Sequence, residues 1–237
     1  VLVANIKLYF YLLMSESDDE ETTDYQFKVT VIGDGTCGKT SLCSRLTQEQ
    51  FDKSYHQTLG LDFFLKRFSL PGNKNVTMQV WDIGGQQLGG KMIKTYLYGA
   101  NAVVLVYDVT NYSSFENLSD WLVIVKETFA DQDKKPHLAL VGNKKDLEHL
   151  RTVKKEKHIE FANANGMSNY FLSAKSGDQV AYCFQKIAAD ILGIRLHKQS
   201  VEQANRVVKA DIVAYNDNDS AIRSTSAHNK TTFCIIQ

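Results

Sequence analysis

The sequence predicts an α/β fold: a six-stranded, mostly parallel sheet with one antiparallel strand, flanked by about five helices. Three observations carry this reading. From Phe27 onward, apolar runs of strand length alternate with stretches of helical period. Two of those runs, "NAVVLVYDV" (101–109) and "HLALVG" (137–142), are apolar almost without interruption, as strands buried on both faces are. "DFFLKRFSL" (62–70) and "VTMQVWDI" (76–83), joined by the turn-forming "PGNKN", read as an antiparallel hairpin.

In chain order, the first 13 residues, "VLVANIKLYFYLL", are apolar but broken by Asn5 and Lys7, and they fall short of the roughly 20 residues that span a bilayer. No small-residue cleavage site of the secretory kind separates them from the acidic run "SESDDEE". The chain opens on Val1, and Met14 reads as the authentic start, so residues 1–13 are expected to be upstream or non-native. The acidic segment 14–24 is expected to be disordered, the folded domain to cover 25–196, and residues 197–237 to form a variable tail. "FKVTVI" is the first strand, and "KTSLCSRLT" the helix after it. Ser113 and Glu116 have capping-box spacing at the head of "SSFENLSDWLVIVKETF", while Gly166 and Gly193 stand where helices end. Within the tail, "SVEQANRVVKADIVAY" has the look of a short helix.

The 237 residues are 43% hydrophobic and 23% charged, enough apolar material for one sizeable core. Lys plus Arg number 27 and so do Asp plus Glu, which argues against general affinity for nucleic acid. Cys37, Cys43, Cys183 and Cys234 form no C-x-x-C pair, so neither a zinc site nor a disulfide framework is expected and a reducing cytosolic setting fits. Cys43 and Cys183 read as core residues, and Cys37 as reactive only if exposed.

Chemistry enters with "GDGTCGKT", Gly33 to Thr40, which fits G-x-x-x-x-G-K-[ST] between a strand and a helix. In such a loop Gly33, Asp34, Gly35, Thr36, Cys37, Gly38 and the first helical residues up to Ser41 wrap main-chain N–H groups around phosphate. Lys39 reaches the β- and γ-phosphates, and the Thr40 hydroxyl is a ligand for phosphate-bound Mg²⁺. "WDIGGQ" (81–86) supplies Asp82 at a strand's carboxyl end as the acid that holds Mg²⁺. It also supplies the Gly85 N–H for a γ-phosphate and Gln86 to orient the attacking water. "NKKD" (143–146) follows another strand: the Asp146 carboxylate accepts the two donors that guanine shows and adenine does not, Asn143 braces the loop, and the Lys144 stem covers a base face. "SAK" (Ser173, Ala174, Lys175) closes a further strand and offers a main-chain N–H to the guanine carbonyl. The four elements occur in this order, each at a predicted strand end, and point to a P-loop NTPase that takes GTP and yields GDP.

On these residues the span from Phe27 to Gly193 resembles the small G domain of the Ras superfamily, and "TLGLDFF" with "WDIGGQ" resembles its Rab branch. That resemblance implies that Thr58 joins Thr40 and Asp82 as a metal ligand when a γ-phosphate is present, that Phe51 edges the guanine, and that Phe63, Trp81 and Tyr96 are read by effectors. It implies exchange factors, GTPase-activating proteins and a prenyl carrier as partners, and membrane trafficking at the ciliary base or endosome. Gln87, Leu88 and Gly89 stand where Rabs carry Glu-Arg-Phe, and four glycines (84, 85, 89, 90) predict a mobile segment in the GDP state. "CIIQ" (234–237) has C-a-a-X form, marking Cys234 for a single farnesyl group. One lipid with no strong basic patch gives a peripheral, reversible anchor on the cytoplasmic face, and a monomer is expected. The rival reading is a guanine-nucleotide-binding adaptor that does not hydrolyse.

Overall fold

The computed structural model describes residues 22–52, 54 and 56–196. Six strands form one sheet: β1 Thr23–Ile32, β2 Leu61–Leu70, β3 Lys74–Ile83, β4 Ala102–Asp108, β5 His137–Asn143 and β6 Ser168–Phe171. Their order is β2-β3-β1-β4-β5-β6. β2 runs antiparallel to β3 in the expected hairpin, Leu61 opposite Ile83 and Leu70 opposite Lys74, and all other pairings are parallel.

Among the described residues there are six α-helices, one more than expected: α1 Lys39–Gln48, α2 Ile93–Leu97, α3 Tyr112–Glu116, α4 Leu118–Thr128, α5 Lys155–Ala164 and α6 Val180–Ile191. The extra one arises because "SSFENLSDWLVIVKETF" is two helices that meet at Asn117. The capping box is not formed: Asn111, two residues earlier, takes the cap and accepts the Ser113 N–H at 3.1 Å. Both residues belong to the strong cap formers, and the carboxamide wins by lying outside the first turn. Gly166 and Gly193 do follow helix ends, at φ 63° and 68°. β1 also starts earlier than expected: Thr23 and Asp24, in the segment expected to be disordered, pair with Lys74 and Asn75 of β3. The tail helix and Cys234 lie outside the described residues.

The sheet separates two apolar layers. Along β4, Ala102, Val104 and Val106 face α1 and α6, and Val103, Leu105 and Tyr107 face the helices α2 to α5. All seven β4 residues are buried, which is why that strand reads as an unbroken apolar run. The parallel strands β1, β3, β4 and β5 end at one rim, and the loops that leave this rim carry the sequence elements described above.

Candidate functional site

The rim loops enclose a cavity of about 710 Å³. Gly35, Thr36, Gly38, Lys39, Thr40 and Ser41 line it from the phosphate loop, Phe51 and Thr58 from the next connection, and Gly85 and Gln86 from the end of β3. Asn143, Lys144 and Asp146 line it from the β5 loop, and Ala174 and Lys175 from the loop after β6. Five separate stretches of sequence therefore meet at one site. Gly33, Asp34, Cys37, Asp82 and Ser173 are not among the lining residues. Each of these supports the site from behind.

α1 begins without a side-chain cap, on Gly38 in the left-handed region at φ 82°. Its first-turn N–H groups are left open toward the cavity, which suits an anion. Gly38 must be glycine for a second reason: a Cβ there would lie 2.6 Å from Asn143 Nδ2. Lys39 is buried, and its ammonium donates to the Gly33 and Asp34 carbonyls at 2.8 Å each. Burial lowers its pKa, with Asp82 opposing the shift.

Behind Lys39, three oxygen-bearing side chains converge. Thr40 Oγ1 donates to Asp82 Oδ2 at 2.5 Å and lies 2.7 Å from Thr58 Oγ1, which in turn is 3.4 Å from the same carboxylate oxygen. Asp82 is fully buried, and its Oδ1 has no hydrogen-bond partner among the described residues. Desolvation raises its pKa to about 6, assisted by the like charge of Asp62 and resisted by Thr40, Lys39 and Thr58. An orphaned carboxylate oxygen beside two hydroxyls is a hard-oxygen donor set that fits Mg²⁺.

The base end is cross-linked by Asn143. Its amide donates to the Cys37 carbonyl at 2.8 Å, and its Oδ1 accepts the N–H groups of Lys144 (2.8 Å) and Ala174 (3.1 Å). One side chain thus ties three loops together. Ser173 donates to Asp146 Oδ1 at 2.6 Å, which aims the carboxylate, and Lys175 Nζ lies 3.9 Å from Oδ2. Lys144 takes a left-handed conformation, φ 64°, and its ammonium pairs with Asp108 at 2.7 Å. Cys37 is 1% exposed with its thiol pKa raised by burial, so it is inert rather than reactive.

On the outer face, Phe63 of β2 and Trp81 of β3 are register partners whose rings meet edge-on, 6.2 Å apart. Phe63 is 54% exposed, the Lys28 ammonium lies 3.9 Å over the Trp81 ring, and Tyr96 of α2 packs half-buried on the adjoining layer.

Comparison with known proteins agrees with this geometry. The Ras family model matches residues 28–193. The chain belongs to the Ras family. It is 45% identical over 226 residues to the Ras-related protein Rab-28 of Caenorhabditis elegans, across 94% of this chain and 91% of that protein. It is 37% identical to the Ras-related protein Rab-13 of Canis lupus familiaris, across 71% and 81% of the two chains. It is 36% identical to the Ras-related protein RABA2a of Arabidopsis thaliana, across 92% and 97%. This Ras-family protein is a small GTPase of the Rab type, a GTP- and GDP-binding switch in membrane trafficking that works with effectors, exchange factors and GTPase-activating proteins.

Several residues of this Ras-family site escaped the sequence reading. Asp108 ends β4 at the same rim, so the logic that found Asp82 and Asn143 applied to it as well. Asn117 and Trp121, which hold Asp34, gave no such signal, because they sit at the head of α4 and within it, 83 and 87 residues away. Asp52, Ser54, His56 and Gln57 also line the cavity.

Proposed function

We propose that the protein holds GTP or GDP in this cavity with Mg²⁺, hydrolyses GTP slowly, and presents the Phe63–Trp81–Tyr96 surface to effectors when a γ-phosphate is bound. Convergence of Thr40, Thr58 and the unpartnered Asp82 Oδ1 behind Lys39 is the observation that carries the reading. Thr40, Thr58 and Asp82 would hold the Mg²⁺, whose chemical contribution when bound is to neutralise developing phosphate charge. Lys39 binds the phosphates, Gly85 contributes its N–H to the γ-phosphate, and Gln86 orients water by hydrogen bonding without ionising. Asp146, aimed by Ser173, selects guanine, with Phe51 at the ring edge and the Ala174 N–H near the guanine carbonyl. A GTPase-activating protein supplies the remaining positive charge.

Among the described residues no helix is long and apolar enough to cross a membrane. Farnesylation of Cys234 and a prenyl carrier would give a monomer that cycles between cytosol and the cytoplasmic face of ciliary-base or endosomal membranes.

The test is nucleotide content after purification, followed by single-turnover hydrolysis with Mg²⁺. Copurified guanine nucleotide and a turnover on the order of 10⁻⁴ s⁻¹ are expected. In Gln86→Leu, hydrolysis should fall at least about tenfold while GDP binding is kept, as loss of a water-orienting amide requires. Equal rates in both chains would refute the role of Gln86, and no phosphate release from either would leave a nucleotide-binding adaptor as the reading that stands.

A further inference from the structure

Asp34 is the one phosphate-loop residue whose charged side chain turns away from the cavity and finds partners elsewhere. Its Oδ2 accepts the Asn117 Nδ2–H at 2.6 Å, and its Oδ1 accepts the Trp121 Nε1–H at 3.0 Å. Trp121 is 0% exposed and packed among Ile93, Leu118, Val125 and their neighbours, so its N–H is a fixed donor rather than a mobile one. Asn117 stands at the head of α4, one turn before Trp121, so the two donors present themselves on one face of one rigid element.

The main chain of the same residue faces the reacting end. Its carbonyl accepts the Lys39 ammonium at 2.8 Å. A Cβ on Gly85 would lie 2.5 Å from the Asp34 carbonyl carbon and 2.1 Å from the Gly35 nitrogen, so the segment that answers the γ-phosphate rests directly on the Asp34–Gly35 peptide. That peptide therefore lies between the cation of the site and its switch, while the side chain behind it is anchored to α4. Among the described residues, the base end, held by Asn143 and Ser173, shares no hydrogen bond with this anchor.

We propose that the Asp34 carboxylate is a positioning residue: bracketed by Asn117 and Trp121, it sets the Asp34–Gly35 peptide against Lys39 and Gly85, and so favours nucleotides that carry a γ-phosphate. This rests on the GTPase reading above. The donor arithmetic is specific. A carboxylate accepts at both oxygens, whereas a carboxamide accepts at one and points an N–H group at a donor from the other. Asp34→Asn therefore turns two charge-assisted bonds into neutral ones: its one oxygen serves Trp121, and the Asn117 amide must turn over to accept the new N–H. Asn117→Asp sets carboxylate against carboxylate. The double exchange regains one charge-assisted bond with its direction reversed: the carboxamide at position 34 accepts from Trp121 and donates to the carboxylate at position 117.

The experiment measures release of fluorescent GDP and of a non-hydrolysable GTP analogue, with Mg²⁺, from the full chain and the three variants. Asp34→Asn should speed release of the GTP analogue by about tenfold, as two charge-assisted bonds become neutral ones, and release of GDP by less than about threefold. Asn117→Asp should behave alike, and the double exchange should return the analogue to within about threefold of the original rate. Equal acceleration of both nucleotides, or a double exchange no slower than Asp34→Asn, overturns the role, because general loosening of the fold would not distinguish them. Trp121→Phe, which removes only the indole donor, serves if Asp34→Asn does not fold, and an unchanged ratio there overturns the role too. An original chain that takes up neither nucleotide overturns the GTPase reading itself, whereas uptake with unaltered ratios overturns only the assignment to Asp34.

Discussion

Asp82 shows how one side chain can be costly to the fold and necessary to the site. Its carboxyl pKa is raised from 3.8 to about 6 by burial, so the metal-free fold keeps the proton to higher pH than the unfolded chain does. For an acid with a raised folded pKa, the penalty is fully present above pH 6 and is relieved as pH falls from 6 toward 3.8. At about 1.4 kcal/mol per unit, that is up to about 3 kcal/mol. Asp82→Asn should therefore raise stability in EDTA at pH 7.5 by about 1–3 kcal/mol and flatten the gain between pH 6 and 4, while abolishing the slowing of GDP release by Mg²⁺. Thermal melts at pH 5 and pH 7.5 give the answer, and a variant that keeps the original pH slope would refute it. The same residue scale holds Lys144, whose ammonium pairs with Asp108 while its stem lines the cavity, so the two features occupy different parts of one side chain.

At the scale of elements, the site is a set of loops tied by side chains such as Asn143 and, in places, pressed main chain on main chain. Gly85 on the phosphate loop is one such contact, a Cβ there lying 2.1 Å from the Gly35 nitrogen. Gly85→Ala should leave GDP binding within about threefold but weaken a GTP analogue at least about fivefold, since a Cβ pressed on backbone costs about 1–3 kcal/mol and only the γ-phosphate needs the Gly85 N–H held there. Titration of both nucleotides decides it, and equal loss for the two would be the contrary result. The phosphate loop, the Asp82 strand end and the Asn143 brace were legible in sequence because each depends on a residue type at fixed spacing beside a strand. The hairpin and the buried strand β4 were legible from their apolar runs. Cap competition between Asn111 and Ser113 was not, because both residues are able and only the path of the chain chooses between them. The Asp34 bracket was invisible for another reason: its partners lie 83 and 87 residues onward, and nothing local to α4 marks them.

Over the whole molecule, the sheet keeps two cores apart, and the layer on the α2–α5 side contains a buried polar pair. Tyr107 and His158 Nδ1 share a hydrogen bond of 2.9 Å, and desolvation, with Arg151 adding to it, pushes His158 down to about 4. A base with a depressed folded pKa stabilises the fold fully above its ordinary value of 6.5, and that stability is lost as pH falls from 6.5 toward 4. His158→Gln should therefore be less stable at pH 7.5 yet show a shallower acid limb between pH 6.5 and 4, by up to about 3 kcal/mol, in urea titrations across that range. A limb as steep as the original would count against it. The opposing slopes of Asp82 and His158 should leave the metal-free protein with a broad plateau of stability rather than a sharp optimum.

The two indoles of the chain stand at opposite working parts of the molecule, Trp81 beside the exposed Phe63 ring and Trp121 sealed beneath the phosphate loop with its N–H on Asp34. The protein therefore has its own optical reporters. Emission from Trp121, isolated by Trp81→Phe, would register nucleotide exchange in real time, and emission from Trp81 would register the arrival of a partner, with no dye attached to either.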